Sequence, residues 1–294
     1  MKVTVTVPAS TANLGPGFDC LGMALTKYAT LTFESAASLE ILGCPEAYRN
    51  DSNLVYRAFA SVFEAARQAI PGVRITIASD VPIARGLGSS STCIVAGIAA
   101  GRAFAGLPED KGAIFSAATA MEGHPDNAAA AIFGGLTASF MHEGAPFCVP
   151  YEVQAAWRFP IVIPNYEVKT AQAREVLPAS VTRQVAVHSV SHALGVVRAL
   201  ETGDEALLTL AAQDVLHEPY RRSLIGDFEG IKAIAKEAGL ATLLISGSGS
   251  TLIGATRNAQ VAEAFVKKAR AAFPQFEAQV LNVCRQGLVI KKKD

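Results

Sequence analysis

The residues from Pro82 to Thr92 read Pro-Ile-Ala-Arg-Gly-Leu-Gly-Ser-Ser-Ser-Thr, a composition that suits a phosphate-binding loop. Gly86 and Gly88 permit a tight turn and leave no side chain between the backbone and a ligand. Helically spaced apolar residues follow the serines, so the serines would lie at a helix N-terminus. Unpaired amides and the positive end of the helix dipole attract anions there. The segment therefore predicts a phosphate cradle.

The common phosphate-binding motifs do not fit this loop. A Walker A loop requires a lysine that is absent here. A dinucleotide fingerprint requires glycine where Ser91 stands, together with a second strand that ends in an acidic residue. Glu109 and Asp110 lie at about the expected distance of ~20 residues, but a helical stretch precedes them. An ordinary serine-capped helix after a glycine turn remains the structural alternative.

The elements around the loop follow from the periodicity of apolar residues. Alternation from Val73 to Ser79 predicts a strand before the loop, and the spacing from Cys93 to Phe104 predicts a helix after it. Further strands are predicted near 2–8, 23–34, 38–42, 135–141, 147–153, 157–163, 240–246, 251–256 and 278–284. Further helices are predicted near 53–69, 110–122, 126–132, 184–200, 228–238 and 258–272.

The second half of the chain carries its own pattern. Without its inserted helices it reads β-α-β-β-α-β, the split βαβ pattern of ferredoxin-like domains. A boundary near Ala155 would divide the chain into residues 1–155 and 156–294. In the helix at 184–200, one face is predicted to carry Val187, Val190, Leu194 and Val197.

Composition narrows the classes of partner and compartment. The formal net charge is zero, and no lysine/arginine stripe stands out apart from Lys291–Lys293, which we interpret as a solvated tail. Neither nucleic acid nor an anionic membrane is an expected partner. The five cysteines are scattered and form no CxxC pair, which indicates a reducing, cytoplasmic location rather than a disulfide framework or a zinc site. We expect no signal peptide and no bilayer-spanning segment.

The phosphate loop resembles the nucleotide-binding motif of the small-molecule kinases named for galacto-, homoserine, mevalonate and phosphomevalonate kinases, the GHMP superfamily. Pro8–Gly22 and Ile245–Thr251 match two further superfamily segments in the same order. The Ala-Asn-Leu-Gly-x-Gly-Phe-Asp core of the first is similar to the homoserine kinase family in particular. Glu122–Asn127 and Lys169–Pro178 are similar to that family as well. The resemblance therefore spans nearly the whole chain.

The resemblance implies an α+β fold of two domains. The first would be similar to ribosomal protein S5 domain 2, and the second would be ferredoxin-like. The implied activity is ATP-dependent phosphorylation of the side-chain hydroxyl of L-homoserine, a step in threonine biosynthesis. A related kinase for another small alcohol such as mevalonate, or an ATP-binding sensor without turnover, are the alternatives. Relatives are often dimers, which makes a homodimer the expectation by analogy.

Glu122 is the candidate metal ligand. It ends a predicted helix, where a carboxylate faces the negative end of the dipole, and a bound cation would relieve that repulsion. A tolerated surface glutamate is the alternative. The resemblance implies that Glu122 and the Ser90 hydroxyl hold Mg²⁺. It also implies that nucleotide is bound by Pro82, Ile83, Ala84, Arg85, Gly86, Leu87, Gly88, Ser89, Ser90, Ser91 and Thr92, while Asn53 is either a helix N-cap or an adenine contact.

An amino acid substrate needs a carboxylate clamp and an ammonium acceptor. Arginine offers a planar, bidentate pairing to carboxylate that lysine cannot provide. The resemblance implies this task for Arg174 and Arg221, with exposed surface arginines as the alternative. It further implies substrate contacts for Asn13, Asp19, Asn127, Thr170, Gly247 and Gly249, with Asp19 and Asn13 at the ammonium and hydroxyl end.

The segment His124–Asn127, at the start of the helix predicted near 126–132, raises the question of a general base. Related sugar and mevalonate kinases use an aspartate near this segment, whereas homoserine kinases are thought to rely on positioning. We assign Asn127 to substrate positioning, leave a catalytic role for Asp126 open, and expect His124 to be structural. A helix N-cap is the alternative role for Asp126 and Asn127. Ser250 replaces the proline that usually follows the family's Gly-Ser-Gly, which leaves the rigidity of that loop in question.

Overall fold

The computed structural model describes residues 1–293, which form two β-sheets and ten α-helices. The strands are β1 (Lys2–Asn13), β2 (Gly17–Ser35), β3 (Glu40–Leu42), β4 (Val73–Ser79), β5 (Leu136–His142), β6 (Ala145–Tyr151), β7 (Phe159–Ile163), β8 (Thr242–Ile245), β9 (Leu252–Ala255), β10 (Glu277–Leu281) and β11 (Val289–Lys293). The helices are α1 (Leu54–Ala66), α2 (Ser89–Phe104), α3 (Lys111–Glu122), α4 (Asp126–Phe133), α5 (Thr170–Glu175), α6 (Arg183–Thr202), α7 (Glu205–Ala211), α8 (Glu218–Arg221), α9 (Phe228–Glu237) and α10 (Ala259–Ala272).

The first sheet has seven strands and carries the phosphate loop at the end of β4. Its main order is β11-β1-β2-β4-β3, and β5 pairs with β2 and with β6. Every pairing is antiparallel except that of β3 with β4. The inward residues of β1 (Val3, Val5 and Val7) are fully buried because alternate side chains of a strand share one face. Helices α1 to α4 pack on that face.

The second sheet has four antiparallel strands in the order β10-β7-β9-β8. Helices α9 and α10 cover it through Phe228, Ile231 and Phe265. This is the order that the split βαβ pattern requires, so the ferredoxin-like prediction is confirmed. The proposed boundary near Ala155 falls between β6 and β7, the two strands at which the chain passes from the first sheet to the second.

The chain end departs from the sequence expectation. Val289–Lys293 is a strand that pairs antiparallel with β1 in the first sheet, so the prediction of a solvated tail at Lys291–Lys293 is wrong for its backbone. The lysine side chains are exposed as expected. Val289 and Ile290 are half-buried against the sheet, and the backbone of the lysines completes the hydrogen bonds of an otherwise open edge.

The apolar face predicted on α6 is not a buried face. Val197 is buried, but Val187, Val190 and Leu194 are 61%, 65% and 67% exposed. The helix instead turns Val196, Ala199 and Leu200 into the core. Periodicity identified the helix and its apolar positions, but not which of them the neighbouring elements cover. Within residues 1–293, no helix is both long enough and apolar enough to cross a bilayer.

Candidate active site

A cavity of about 600 Å³ lies between the phosphate loop and segments of the second half. It brings most of the predicted site residues together, although they come from separate parts of the chain. The predicted residues that line it are Asn13, Asp19, Asn53, Pro82, Ile83, Ala84, Arg85, Gly86, Gly88, Ser89, Ser90, Glu122, Asp126, Asn127, Thr170, Arg174, Arg221 and Gly247. Leu87, Ser91, Thr92 and Gly249 are not among its lining residues.

Those four residues are turned into the protein for identifiable reasons. Leu87 is fully buried in the apolar core, and Ser91 and Thr92 lie on the inner side of the first turn of α2. The Thr92 hydroxyl donates to the carbonyl oxygen of Ser89 at 2.8 Å. The Gly249 amide donates to the Ser246 carbonyl at 2.8 Å. The sequence prediction of nucleotide and substrate contacts by these four can therefore apply only to their backbones.

The phosphate loop owes its shape to two glycines with left-handed backbone. Gly86 has φ 75° and Gly88, the residue that caps α2, has φ 70°. A Cβ at Gly88 would lie 2.2 Å from the Ser10 hydroxyl oxygen, and one at Gly86 would lie 2.1 Å from the Ser246 carbonyl oxygen. Packing within the protein thus demands both glycines. The first amides of α2 have no partner within the helix and can receive an anion.

Ser90 and Glu122 meet as the sequence predicts. The Ser90 hydroxyl donates to Oε1 of Glu122 at 2.5 Å, and Oε2 of Glu122 is buried without a hydrogen-bond partner. A buried carboxylate oxygen without a partner is costly, and a divalent cation would satisfy it. Within residues 1–293 there is no cluster of three or more His, Cys, Asp or Glu that could hold a metal. Phosphate oxygens and water would have to supply the other ligands.

The start of α4 forms a polar cluster beside this pair. The Asp126 carboxylate is buried, accepts from the Asn127 amide at 2.8 Å and pairs with Nδ1 of His124 at 2.7 Å. Burial by itself lowers the pKa of His124, but the hydrogen bond and charge of Asp126 raise it above its ordinary value. The Ser10 hydroxyl donates to Oδ1 of Asn127 at 2.9 Å. Pro125 takes the N-cap position, so the cap role offered as an alternative for Asp126 and Asn127 is wrong.

An ion pair between two distant segments of the chain also lines the cavity. Arg174 donates from Nη1 to Oδ2 of Asp19 at 2.9 Å and from Nη2 to Oδ1 at 2.8 Å, a bidentate arrangement. The side chains are 39% and 33% exposed, so both charges are reachable from the cavity. The hydrogen bond to Asp19 raises the pKa of Arg174 above its usual range. Asn13 supports the pair, because its Oδ1 accepts from the Asp19 amide at 3.1 Å and its Nδ2 donates to the Gly247 carbonyl at 2.9 Å.

Arg221 lies deeper and is only 2% exposed. Its Nε donates to the Ala173 carbonyl at 3.1 Å, and its Nη1 donates to the Gly247 carbonyl at 2.9 Å. Burial lowers the pKa of Arg221 to about 10, which still leaves the guanidinium charged at neutral pH. Nη1 also lies 3.4 Å from Nδ1 of His217. A buried cation with few partners is suited to receive an anionic group.

His217 lies beside Arg221, and Phe18 lies beside both Arg174 and Arg221. Neither His217 nor Phe18 was singled out from the sequence. Nε2 of His217 lies 2.9 Å from the Gly15 carbonyl, which must accept, so the imidazole donates from Nε2 and turns its Nδ1 lone pair to Arg221. Burial is the main cause that lowers the pKa of His217 to about 4. The Phe18 ring lies under the guanidinium groups of Arg174 and Arg221, at 5.6 and 5.0 Å. Two signals were available in the sequence: Phe18 directly precedes Asp19, and His217 has an i,i+4 spacing to Arg221.

Asn53 acts as a helix cap. Its Oδ1 accepts from the Val55 amide at 2.9 Å at the start of α1, and its Nδ2 donates to the Tyr48 carbonyl at 2.7 Å. Both ends of its amide are engaged within the protein, which confirms the N-cap interpretation. It nevertheless lines the cavity. An adenine contact by Asn53 stays a prediction.

Comparisons with known proteins agree with this geometry. The family profile for the GHMP kinases N terminal domain matches residues 53–135, and the profile for the GHMP kinases C terminal domain matches 196–275. A homoserine kinase from Synechococcus sp. is 38% identical over 100% of this chain and 99% of its own length. The chain belongs to the homoserine kinase family. The family resemblance drawn from the sequence is thereby confirmed, and ATP use follows from membership of a kinase family.

Solved structures of this family have the same fold. The homoserine kinase from Cytophaga hutchinsonii superposes with a TM-score of 0.86 at 26% identity, covering 99% of this chain and 97% of its own. A phosphomevalonate kinase from Streptococcus pneumoniae reaches 0.71 at 15% identity, covering 97% and 100%, which shows the shared fold alone. The predicted two-domain α+β architecture of the GHMP kinases is confirmed.

Proposed function

We propose that this chain transfers the γ-phosphoryl group of ATP to the side-chain hydroxyl of L-homoserine, forming O-phospho-L-homoserine in threonine biosynthesis. The single observation that carries the proposal is the bidentate ion pair between Arg174 and Asp19 at one end of the cavity. A homoserine zwitterion matches it, since its carboxylate can take the guanidinium and its ammonium can take the carboxylate. A substrate with only one of these charges would leave one partner unpaired.

The buried Arg221 supports the same orientation. Its guanidinium donates to the carbonyls of Ala173 and Gly247, lies 5.0 Å from the centre of the Phe18 ring, and has charge to offer a carboxylate. Two arginines for one carboxylate and one aspartate for one ammonium fix which way the amino acid points. The hydroxyl end then extends toward Asn127 and the phosphate loop, which line the same cavity. Thr170 lies on the same helix as Arg174 and is proposed to assist substrate binding.

The phosphate end supplies charge and alignment. The amides at the start of α2 and the glycine backbone of the loop are proposed to cradle the phosphates of ATP. Glu122 and Ser90 are proposed to hold Mg²⁺, and the unpartnered Oε2 of Glu122 supports that assignment. When bound, Mg²⁺ would neutralise charge on the phosphate oxygens during transfer.

Proton removal from the substrate hydroxyl needs no dedicated side chain in this proposal. Phosphoryl transfer passes through a loose transition state, so alignment and charge stabilisation carry most of the catalysis. Asn127 is held by Ser10 and keeps its Nδ2 free to orient a hydroxyl. Asp126 is engaged by the Asn127 amide and by His124, so we assign it to positioning these groups.

The test is ADP release from ATP with a panel of alcohols. L-Homoserine, L-serine, L-threonine, mevalonate and shikimate are offered at equal concentration, with and without Mg²⁺. We expect the highest kcat/KM for homoserine and a requirement for Mg²⁺. Faster turnover of mevalonate would replace the proposal with a related kinase activity. ATP binding without ADP release on any alcohol would identify a nucleotide-binding sensor.

Partner and compartment are the finer parts of the proposal. Val187, Val190 and Leu194 give α6 an exposed apolar stripe, which supports association of two copies into a homodimer. Light scattering should then give a dimer mass for the wild type and a monomer mass for Leu194→Glu. A monomeric wild type would refute the dimer.

The proposal also includes a compartment. All five cysteines are free, which supports a cytoplasmic, reducing location.

A further inference from the structure

The side chain of Arg85 connects the phosphate loop to the second half of the molecule. Its Nε donates to the Pro164 carbonyl at 3.0 Å, and its Nη2 donates to the Asn165 carbonyl at 2.9 Å. Its Nη1 donates to the Ile83 carbonyl at 3.0 Å, within the loop itself. Three of the five N–H groups of the guanidinium are thus used on carbonyls. A guanidinium committed in this way is poorly placed to grip a phosphate in the bidentate manner typical of arginine.

Backbone bonds reinforce the same connection. The Val168 amide donates to the Ala84 carbonyl at 3.1 Å, so the segment Pro164–Val168 is fastened to the loop at both ends. On another side of the loop, the Thr251 amide donates to the Arg85 carbonyl at 3.1 Å. Ala84 has φ 53°, a backbone conformation that L-residues rarely adopt and that surrounding contacts must maintain. The loop and the segment therefore hold one another's conformation.

The fastened segment leads directly into α5, which carries Thr170 and Arg174. This helix has six residues, of which only Ala173 is buried. Its far side is held through the Ala173 carbonyl, which accepts from Arg221, and through the ion pair of Arg174 with Asp19. Because α5 buries so little of its own surface, its position depends on hydrogen bonds and ion pairs with neighbouring segments. Arg85 donates two of these hydrogen bonds, to the carbonyls of Pro164 and Asn165 in the segment before the helix.

We propose that Arg85, although it lies in the nucleotide loop, is a positioning residue for the amino acid end of the site. It acts through the carbonyls of Pro164 and Asn165 to set where α5 presents Arg174 to the substrate carboxylate. The inference rests on the proposed homoserine kinase activity. It differs from the nucleotide contact that the sequence resemblance implies for Arg85, and it links nucleotide-loop conformation to homoserine affinity.

The test is a split between two Michaelis constants. Arg85→Met removes the donors and keeps much of the aliphatic stem. We expect KM for homoserine to rise about tenfold, the effect of weakening one charge-assisted bond, with KM for ATP changed less than about twofold. Glu167→Gln is the matched control: Glu167 lies 3.7 Å from the guanidinium and is half exposed, so its loss should move neither constant. Arg85→Lys keeps the charge but loses the fork, and should give a smaller rise for homoserine alone.

A double-mutant cycle identifies the route. If Arg85 acts through Arg174, the effect of Arg85→Met should shrink from about tenfold to less than about threefold in an Arg174→Lys background. An equal rise in both Michaelis constants would make Arg85 a nucleotide ligand and overturn the proposal. So would an unchanged homoserine KM, or the full effect in both backgrounds. If Arg85→Met fails to fold by thermal unfolding, Arg85→Lys carries the same cycle. Failure of the proposed function would appear separately, as wild-type enzyme inactive on homoserine.

Discussion

The two ends of the cavity are built in opposite ways. The proposed phosphate end consists largely of one continuous run, Pro82–Thr92, whose backbone is proposed to form the cradle at the start of α2. The amino acid end is assembled from side chains in three distant segments, represented by Asp19, Arg174 and Arg221. A cradle of backbone amides tolerates side-chain changes wherever the turn survives. A clamp of side chains depends on each residue and on the packing that aims it.

The two ends also hold their charges differently. Glu122 keeps one carboxylate oxygen buried without a partner, whereas Asp19 and Arg174 satisfy one another. Under the proposed function, a cation would complete the phosphate end, and a zwitterion would exchange with the internal ion pair of the amino acid end. Loss of a charge should therefore affect catalysis at the first end and substrate recognition at the second.

The largest effect is expected at the phosphate end. Glu122→Gln preserves volume but removes the charge proposed to hold Mg²⁺, so kcat should fall about 100-fold or more and the Mg²⁺ concentration for half-maximal rate should rise. Homoserine affinity should stay within about twofold. Glu109→Gln is the control, because Glu109 is exposed and does not line the cavity. Unchanged Mg²⁺ dependence would make Glu122 a structural residue.

The two arginines of the clamp sharpen the comparison within the amino acid end. Arg221→Lys should lower kcat/KM for homoserine about 50-fold, because a buried fork with two carbonyl partners cannot be reproduced by an ammonium. Arg174→Lys should cost only about tenfold, since the side chains of that pair are about one-third exposed and screened by water. Steady-state kinetics with ATP saturating gives both values. A larger loss for Arg174→Lys would reverse the proposed division of labour.

The role of Asp19 is tested by selectivity. Asp19→Asn should weaken homoserine roughly tenfold more than 4-hydroxybutyrate, which lacks the ammonium. The measurement is the ratio of two apparent dissociation constants, one for homoserine and one for 4-hydroxybutyrate as its competitor. Equal weakening of both compounds would place Asp19 in the framework of the site and not in ammonium recognition.

Elements that the local sequence defines were predicted better than elements that depend on distant parts of the chain. The strand, loop and helix around Pro82–Thr92 were predicted closely because local periodicity and glycine placement define them. The second sheet was predicted from the order of its elements. The strand Val289–Lys293 was missed because its partner, β1, stands at the opposite end of the chain. The apolar residues of α6 were predicted to share one face, but whether that face is covered could not be predicted because a single helix does not reveal its neighbours.

Residues that act through tertiary contacts were the hardest to predict. Arg221 was reached by family resemblance, but its burial and its carbonyl partners depend on α5 and the glycine loop. His217 was overlooked because its hydrogen-bond partner Gly15 lies 202 residues away in the sequence, and the i,i+4 spacing to Arg221 did not by itself indicate a site. The ion pair of Arg174 with Asp19 joins residues far apart in sequence, and the sequence around either residue does not indicate that the two will pair.

The smallest expected effect concerns stability next to the clamp. Glu218 is buried, and burial raises its pKa from 4.5 to about 7. Because the folded-state pKa lies above the unfolded one, the stabilisation by the protonated carboxyl is full below about pH 4.5 and is lost as pH rises through about 7. Glu218→Gln mimics the protonated form at every pH. Its unfolding free energy relative to wild type should rise by about 2–3 kcal/mol from pH 5 to pH 8 in paired thermal melts. A constant difference would contradict a raised pKa.

The division into a phosphate end and an amino acid end is tested most directly by following the phosphorus. Phosphorus NMR of ATP, Mg²⁺ and L-homoserine with the wild-type chain should show the γ-phosphate replaced by one phosphomonoester, coupled to the side-chain methylene protons of homoserine. ADP should form in equal amount. Inorganic phosphate in place of the phosphomonoester, or a spectrum independent of homoserine, would contradict the account.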